Sequence, residues 1–213
     1  MTAKPQTLAL KVAAHALLAL PLAVTVFQLW RGTLGVEPVA IALNRLGLWT
    51  LTFLLVSLAC TPAKLVFGLN WPNKLRRLIG LWAFAYGVLH FAVYVGVDQG
   101  LDWGGLVKDV VKRKFMTVGF AALVLLVPLA ITSTNASVKR LGFKRWKAIH
   151  RLVYVSASLG VVHFIWRVKA DYRQPLLFAF ALSVLFAVRL VDAALSWRAR
   201  RAKASPASAP RSA

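Results

Sequence analysis

The chain of 213 residues has a single cysteine, Cys60. One thiol excludes an internal disulfide and any metal centre built from several thiolates. No Cys-x-x-Cys-His run is present, so a covalently attached c-type haem is excluded too. Acidic residues are nearly as scarce, with six Asp and Glu against 27 Lys and Arg and a formal net charge of +21. A Gly-rich dinucleotide loop, a phosphate-cradling P-loop and a zinc-protease histidine pair are all missing. So is any internal repeat. Such a basic excess ordinarily points to nucleic acid. Here the distribution argues against it, because the basic residues are confined between long apolar blocks instead of being interleaved along amphipathic elements.

Apolar residues make up 59% of the chain, and mean hydropathy is +0.67. Six blocks approach the ~20 residues a helix needs to cross the hydrocarbon of a bilayer. They run over Leu8–Trp30, Leu46–Cys60, Leu78–Val97, Phe115–Thr132, His150–Trp166 and Pro175–Leu195. The second is short unless it begins near Ala40. In lipid a backbone must satisfy its own hydrogen bonds, so apolar runs of this length are helices. The first block continues through Val24, Phe27 and Trp30, too far for the apolar region of a signal peptide, and lacks a small-residue cleavage site. The expected fold is all-α, a polytopic membrane bundle of six transmembrane helices.

Most of the 27 basic residues fall in the segments that share a side with the N-terminus, notably the runs around Lys74–Arg77, Lys139–Arg151 and Arg198–Lys203. Five of the six acids fall on the opposite side, and the sixth, Asp192, lies within the last block. The excess of Lys and Arg on cytoplasmic loops therefore predicts both termini in the cytoplasm. Residues 1–201 form one domain. The Ala/Ser/Pro-rich stretch 202–213 reads as a disordered cytoplasmic tail.

Ionisable groups at membrane depth are where function is sought. His90 closes "GVLH" in the third block and His163 closes "GVVH" in the fifth. At ~1.5 Å per residue both stand roughly 18–22 Å from the cytoplasmic edge, on helices running in the same direction. Two histidines at matched depth on separate helices suit axial ligation of a haem held inside a bundle. Gly87 and Gly160, each three residues before its histidine, and Ser156 further back, give a small-residue strip that a flat macrocycle could approach. Close helix packing would use the same small residues. His150, in "FKRWKAIHR", lies roughly 140° around an ideal helix from His163. It could ligate a second metal site, contact a propionate, flavin or quinone, or be an interfacial histidine without a cofactor. His15 reads as a packed structural histidine or a cofactor contact. Arg189 and Asp192 are spaced to neutralise each other. Trp30, Trp71, Trp103, Trp146, Trp166 and Trp197 fall at block ends, as interfacial anchors do. Tyr86 and Tyr94 flank His90 one turn on either side. Without a redox cofactor the chain would be a small transporter or a structural membrane anchor. A transporter needs a polar midplane site on broken helices, and an anchor needs no matched histidines.

The blocks "TPAK", "RRLIGLWAFAYGVLHFAVY", "DVVKRKFMTVG", "LAITS" and "LGFKRWKAIHRLVYV…VVHFIW" resemble the MsrQ family, formerly YedZ. This is the haem-binding membrane subunit of the periplasmic methionine sulfoxide reductase system, within the ferric-reductase-like transmembrane superfamily. The likeness runs over about residues 46–167. It implies haem-associated roles for His90, His150 and His163, with His90 and His163 as axial ligands of a b-type haem and His150 at a second site. Related ferric reductases place another histidine where this chain has Arg76 and Arg77, so an inner bis-histidine haem is not implied. The resemblance further implies FMN and a donor that is either quinol or a cytoplasmic flavin. It also implies a periplasmic molybdenum-containing partner, MsrP, and residence in the bacterial inner membrane. The outward segment 98–114 is the candidate docking surface for that partner.

Overall fold

A computed structural model describes residues 5–204, and they are helical nearly throughout. The helices are α1 (Pro5–Trp30), α2 (Pro38–Phe67), α3 (Trp71–Val93), α4 (Trp103–Lys112), α5 (Lys114–Ile131), α6 (Asn135–Leu141), α7 (Phe143–His150), α8 (Leu152–Arg167) and α9 (Arg173–Ala204). Helix α3 continues into a π-helical turn, Tyr94–Asp98. Six stretches are long and apolar enough to cross a membrane. Among them Leu8–Trp30 coincides with the first expected block. An even number of crossings puts α1 and α9 at one face in their terminal turns; that face is called the inner end below. The tail expected from Ala202 overlaps the last turn of α9 and otherwise lies outside the described residues.

Helix α3 begins at Trp71 instead of Leu78 and α9 continues past Leu195 to Ala204, and two further departures from the expected blocks have a physical cause. The second block extends far beyond Leu46–Cys60, over Pro38–Phe67, because Pro38 suits the first turn of a helix and Pro62 does not end it. Proline lacks an N–H, so the carbonyl of Leu58, four residues earlier, loses its helical partner. The Arg189 guanidinium of α9 donates to that carbonyl, and also to the Leu185 carbonyl at 3.1 Å. Its carbon lies 5.4 Å from the centre of the Tyr154 ring. This replaces the expected pairing with Asp192, which is exposed and forms no ion pair with it. The fifth block is also not one helix beginning at His150. The chain tightens at Arg151, where Arg151 N–H bonds the Ala148 carbonyl and Tyr154 N–H bonds the Arg151 carbonyl, at 3.1 and 3.0 Å. His150 therefore ends α7, and its angular relation to His163 is not that of an ideal continuous helix.

The bundle is organised around α2, which meets α1, α3, α8 and α9; the closest pairings are α2 with α3 and α5 with α8. Lipid offers no hydrophobic incentive for helices to associate, so contact depends on small residues and interhelical hydrogen bonds. Ala83, Ser156 and Ala157 are completely buried at these interfaces. Ser156 Oγ donates to the Ala122 carbonyl at 2.8 Å, joining α8 to α5, and Ser57 Oγ donates to the Arg76 carbonyl at 3.0 Å, joining α2 to α3. On α1 and α9 large apolar side chains such as Leu17 and Phe180 face outward, as surfaces against lipid do.

Tyr86 ties α3 to α1. Its hydroxyl donates to the Leu18 carbonyl and accepts from the Leu22 N–H, both at 2.9 Å. Those two groups are four residues apart, so the hydroxyl sits inside the helical ladder of α1, next to the interruption made by Pro21. Tyr86→Phe is expected to cost about 1 kcal/mol, within the range of interhelical hydrogen bonds in membranes. Unfolding titration in mixed micelles checks this, and an unchanged midpoint would refute it.

Candidate functional site

A cavity of about 320 Å³ opens between α2, α3, α5 and α8. His90 enters it from α3 and His163 from α8. Their ring centres are 6.4 Å apart and the rings cross at 80°. The structure thus brings together the two histidines that matched depth had paired.

Both rings are held in the same way. Nδ1 of His90 lies 3.0 Å from the Leu43 carbonyl of α2, and Nδ1 of His163 lies 2.7 Å from the Phe115 carbonyl of α5. A carbonyl can only accept, so Nδ1–H donates in each case and the other nitrogen, Nε2, is left with its lone pair. Each carbonyl lies four residues before a glycine, Leu43 before Gly47 and Phe115 before Gly119. Those glycines let the rings reach the backbone. A Cβ at Gly47 would lie 3.2 Å from His90 Cε1, and one at Gly119 would lie 2.8 Å from His163 Cε1 with Nδ1 closer still. Sequence reasoning missed both glycines. Their signal, Leu-Asn-Arg-Leu-Gly and Phe-Met-Thr-Val-Gly ahead of apolar helix, is visible only once the facing helices are known.

Gly87 and Gly160 line the cavity, as does Ser156. They also serve packing, since a Cβ at Gly87 would meet Thr50 and Leu123 at 3.3 and 3.2 Å, and one at Gly160 would meet Leu51 at 3.2 Å. Tyr94 lines the cavity, and the π-helical turn that begins there keeps Asp98 on the same wall. The Tyr94 hydroxyl donates to Asp109 at 2.8 Å, and Asp109 pairs with Arg113 at 3.1 Å. The expected docking segment 98–114 is therefore partly engaged in closing the outer end of the cavity. Tyr86 points away from the site, into α1. Trp82 Nε1–H donates to His15 Nδ1 at 3.0 Å, which gives His15 a structural partner on α3.

His150 is not at this cavity. It lies at the inner end with its ring stacked on Trp146, centres 4.0 Å apart, and its Nδ1–H donates to the Trp146 carbonyl at 3.1 Å. Its Nε2 is buried without a hydrogen-bond partner. Arg76 and Arg77 are held close to this end by bonds to Thr61 at 3.2 Å and Asn135 at 2.8 Å.

A family model described as a ferric reductase like transmembrane component matches residues 44–161, a stretch that contains Gly47, His90, Gly119 and His150. A protein of Rhodospirillum rubrum is 54% identical over 171 residues, covering 80% of this chain and 82% of its own length. It is described as the haem-binding subunit MsrQ of a protein-methionine-sulfoxide reductase. The chain belongs to the MsrQ family. Two further MsrQ proteins show the same likeness, one of them over nearly the whole chain. One from Xanthomonas oryzae is 40% identical over 209 residues, covering 94% of this chain and 93% of its own. One from Deinococcus radiodurans is 47% identical over 169 residues, covering 78% and 83%. As an MsrQ-family member the chain is a multi-pass membrane protein; the family-model match holds His90 and ends two residues before His163.

Proposed function

We propose that the chain is a membrane b-type haem electron-transfer subunit that delivers electrons across the bacterial inner membrane to a periplasmic methionine sulfoxide reductase. The observation that carries this reading is the His90–His163 pair. A metal–imidazole bond is ~2.0–2.1 Å, so two imidazoles on opposite sides of one ion have ring centres roughly 6–6.5 Å apart. The observed 6.4 Å fits. Both Nδ1 atoms are engaged with carbonyls, which leaves Nε2 as the ligand atom and fixes the ring orientation. Among the described residues no three His, Cys, Asp or Glu side chains gather as a metal site. Two protein donors facing each other across an apolar cavity suit an ion whose other ligands come from a macrocycle.

His90 and His163 would hold the haem iron. When bound, the haem supplies reversible one-electron chemistry. Phe91, Phe115, Phe120 and Phe164, all on the lining, keep water from the site and lower its dielectric. Leu43 and Phe115 hold the imidazoles in the ligating tautomer through their carbonyls. The catalytic reduction belongs to the partner, a molybdenum-containing MsrP by family resemblance. Electrons would enter from the quinol pool or a cytoplasmic flavin donor, and FMN would stand on that side without an assigned residue. The purified protein is expected to show a Soret band and a reduced b-type α-band. Their absence from protein made with ample haem would end this reading.

His150 belongs to the entry side. Its orphaned Nε2 fits a second metal or cofactor contact there. His150→Ala is expected to leave the low-spin spectrum of the outer pair intact while slowing haem reduction by the donor ~10–100-fold, the scale typical of lost ligand support. Stopped-flow reduction measures it; an unchanged rate removes His150 from the pathway.

A further inference from the structure

The charge on the cavity wall is lopsided. Its cations, Arg113 and Arg167, both stand at the outer end, whereas the deeper wall is mostly apolar. Arg167 is one helical turn beyond His163 on α8. Arg113 directly precedes α5, two residues before the carbonyl that holds His163. The acids here are Asp98, which lines the wall and accepts from the Gln99 side chain at 2.9 Å, and Asp109, which is committed to Arg113 and Tyr94. Arg167 forms no ion pair among the described residues. A ligand that matches this wall has an apolar body with acid groups along one edge, and that edge points outward.

Resting on the haem reading, we propose that Arg167, with Arg113 on the same cavity wall, binds the haem carboxylates and so fixes the cofactor with its acid edge towards the outer end. A guanidinium presents a planar fork that meets a carboxylate with two parallel hydrogen bonds. Arg167 is the principal partner because it is unpaired, while Arg113 must share itself with Asp109.

The test uses detergent-solubilised full-length protein produced without haem, titrated by Soret absorbance with protohaem or with protohaem dimethyl ester. Esterification removes both negative charges and keeps the macrocycle and the iron. Wild-type protein is expected to bind the free acid ~10–100-fold more tightly than the ester, the range expected for a charge-assisted hydrogen-bonded contact. Arg167→Gln should bring the ratio close to one by weakening the free acid alone, and Arg167→Lys should restore part of it. Equal binding of both haems by the wild type, with a low-spin spectrum, would overturn the clamp and leave the histidine pair standing. Failure of both haems to bind would instead overturn the haem reading itself. The wild-type comparison needs no variant, so misfolding of Arg167→Gln cannot mask the outcome.

Discussion

Alanine at His90 or at His163 is expected to abolish the low-spin b-type haem spectrum. Each histidine would supply one of two axial bonds from Nε2 while its Nδ1–H stays on a carbonyl, Leu43 for His90 and Phe115 for His163. Removing one ring would take away an iron ligand and leave a hole on an apolar wall, and among the described residues no other histidine and no cysteine lines the cavity to replace it. The loss of affinity should exceed the ~10–100-fold that accompanies loss of outer-shell support alone. Any haem retained should be five-coordinate and high-spin. Imidazole added to His163→Ala should recover the low-spin bands, since the vacated space matches the ring and the neighbouring helices are unchanged. Absorbance and electron paramagnetic resonance give the readout. A fully occupied, low-spin haem in either variant without added imidazole would show that the pair does not ligate.

His150→Ala provides the contrast. The ring is stacked on Trp146 at the inner end and takes no part in lining the cavity. Loss of the outer low-spin spectrum in that variant would mean the two ends are not independent.

The bundle was readable from the sequence because lipid imposes a simple rule: a long apolar run has no option but helix. The pairing of His90 with His163 followed from depth and direction, which depend only on counting residues along parallel helices. What lay beyond reading were contacts made sideways. Nothing in α2 alone says that Gly47 faces His90, and nothing in α5 alone says that Gly119 faces His163. Tyr86 has the same spacing from His90 as Tyr94, yet one enters the ladder of α1 and the other lines the cavity. The break at Arg151 was hidden because its sequence carries neither proline nor glycine. The partner of Arg189 was hidden for a related reason. Its acceptor exists only because Pro62, more than a hundred residues earlier, vacates the Leu58 carbonyl.

The glycines facing the histidines lead to the second large effect. Gly119→Ala is expected to cost nearly as much haem as His163→Ala, although only a methyl group is added and no ligand is removed. The new Cβ would lie within 3.0 Å of three atoms of the His163 ring. The ring cannot retreat, because Nδ1 is fixed to Phe115 at 2.7 Å and, in the proposed function, Nε2 would have to face the haem iron. Gly47→Ala should be milder, since its closest approach to His90 is 3.2 Å and a small shift relieves it. The sign of the effect on stability separates this steric account from general damage. Alanine is favoured over glycine inside a helix by about 0.8–1 kcal/mol. Once the ring is gone, the added methyl group should therefore help the fold. In the His163→Ala background, Gly119→Ala should raise the unfolding midpoint, whereas in the wild-type background it should lower haem occupancy and the midpoint together. If Gly119→Ala binds haem as well as the wild type, the glycine is not what lets His163 reach the Phe115 carbonyl.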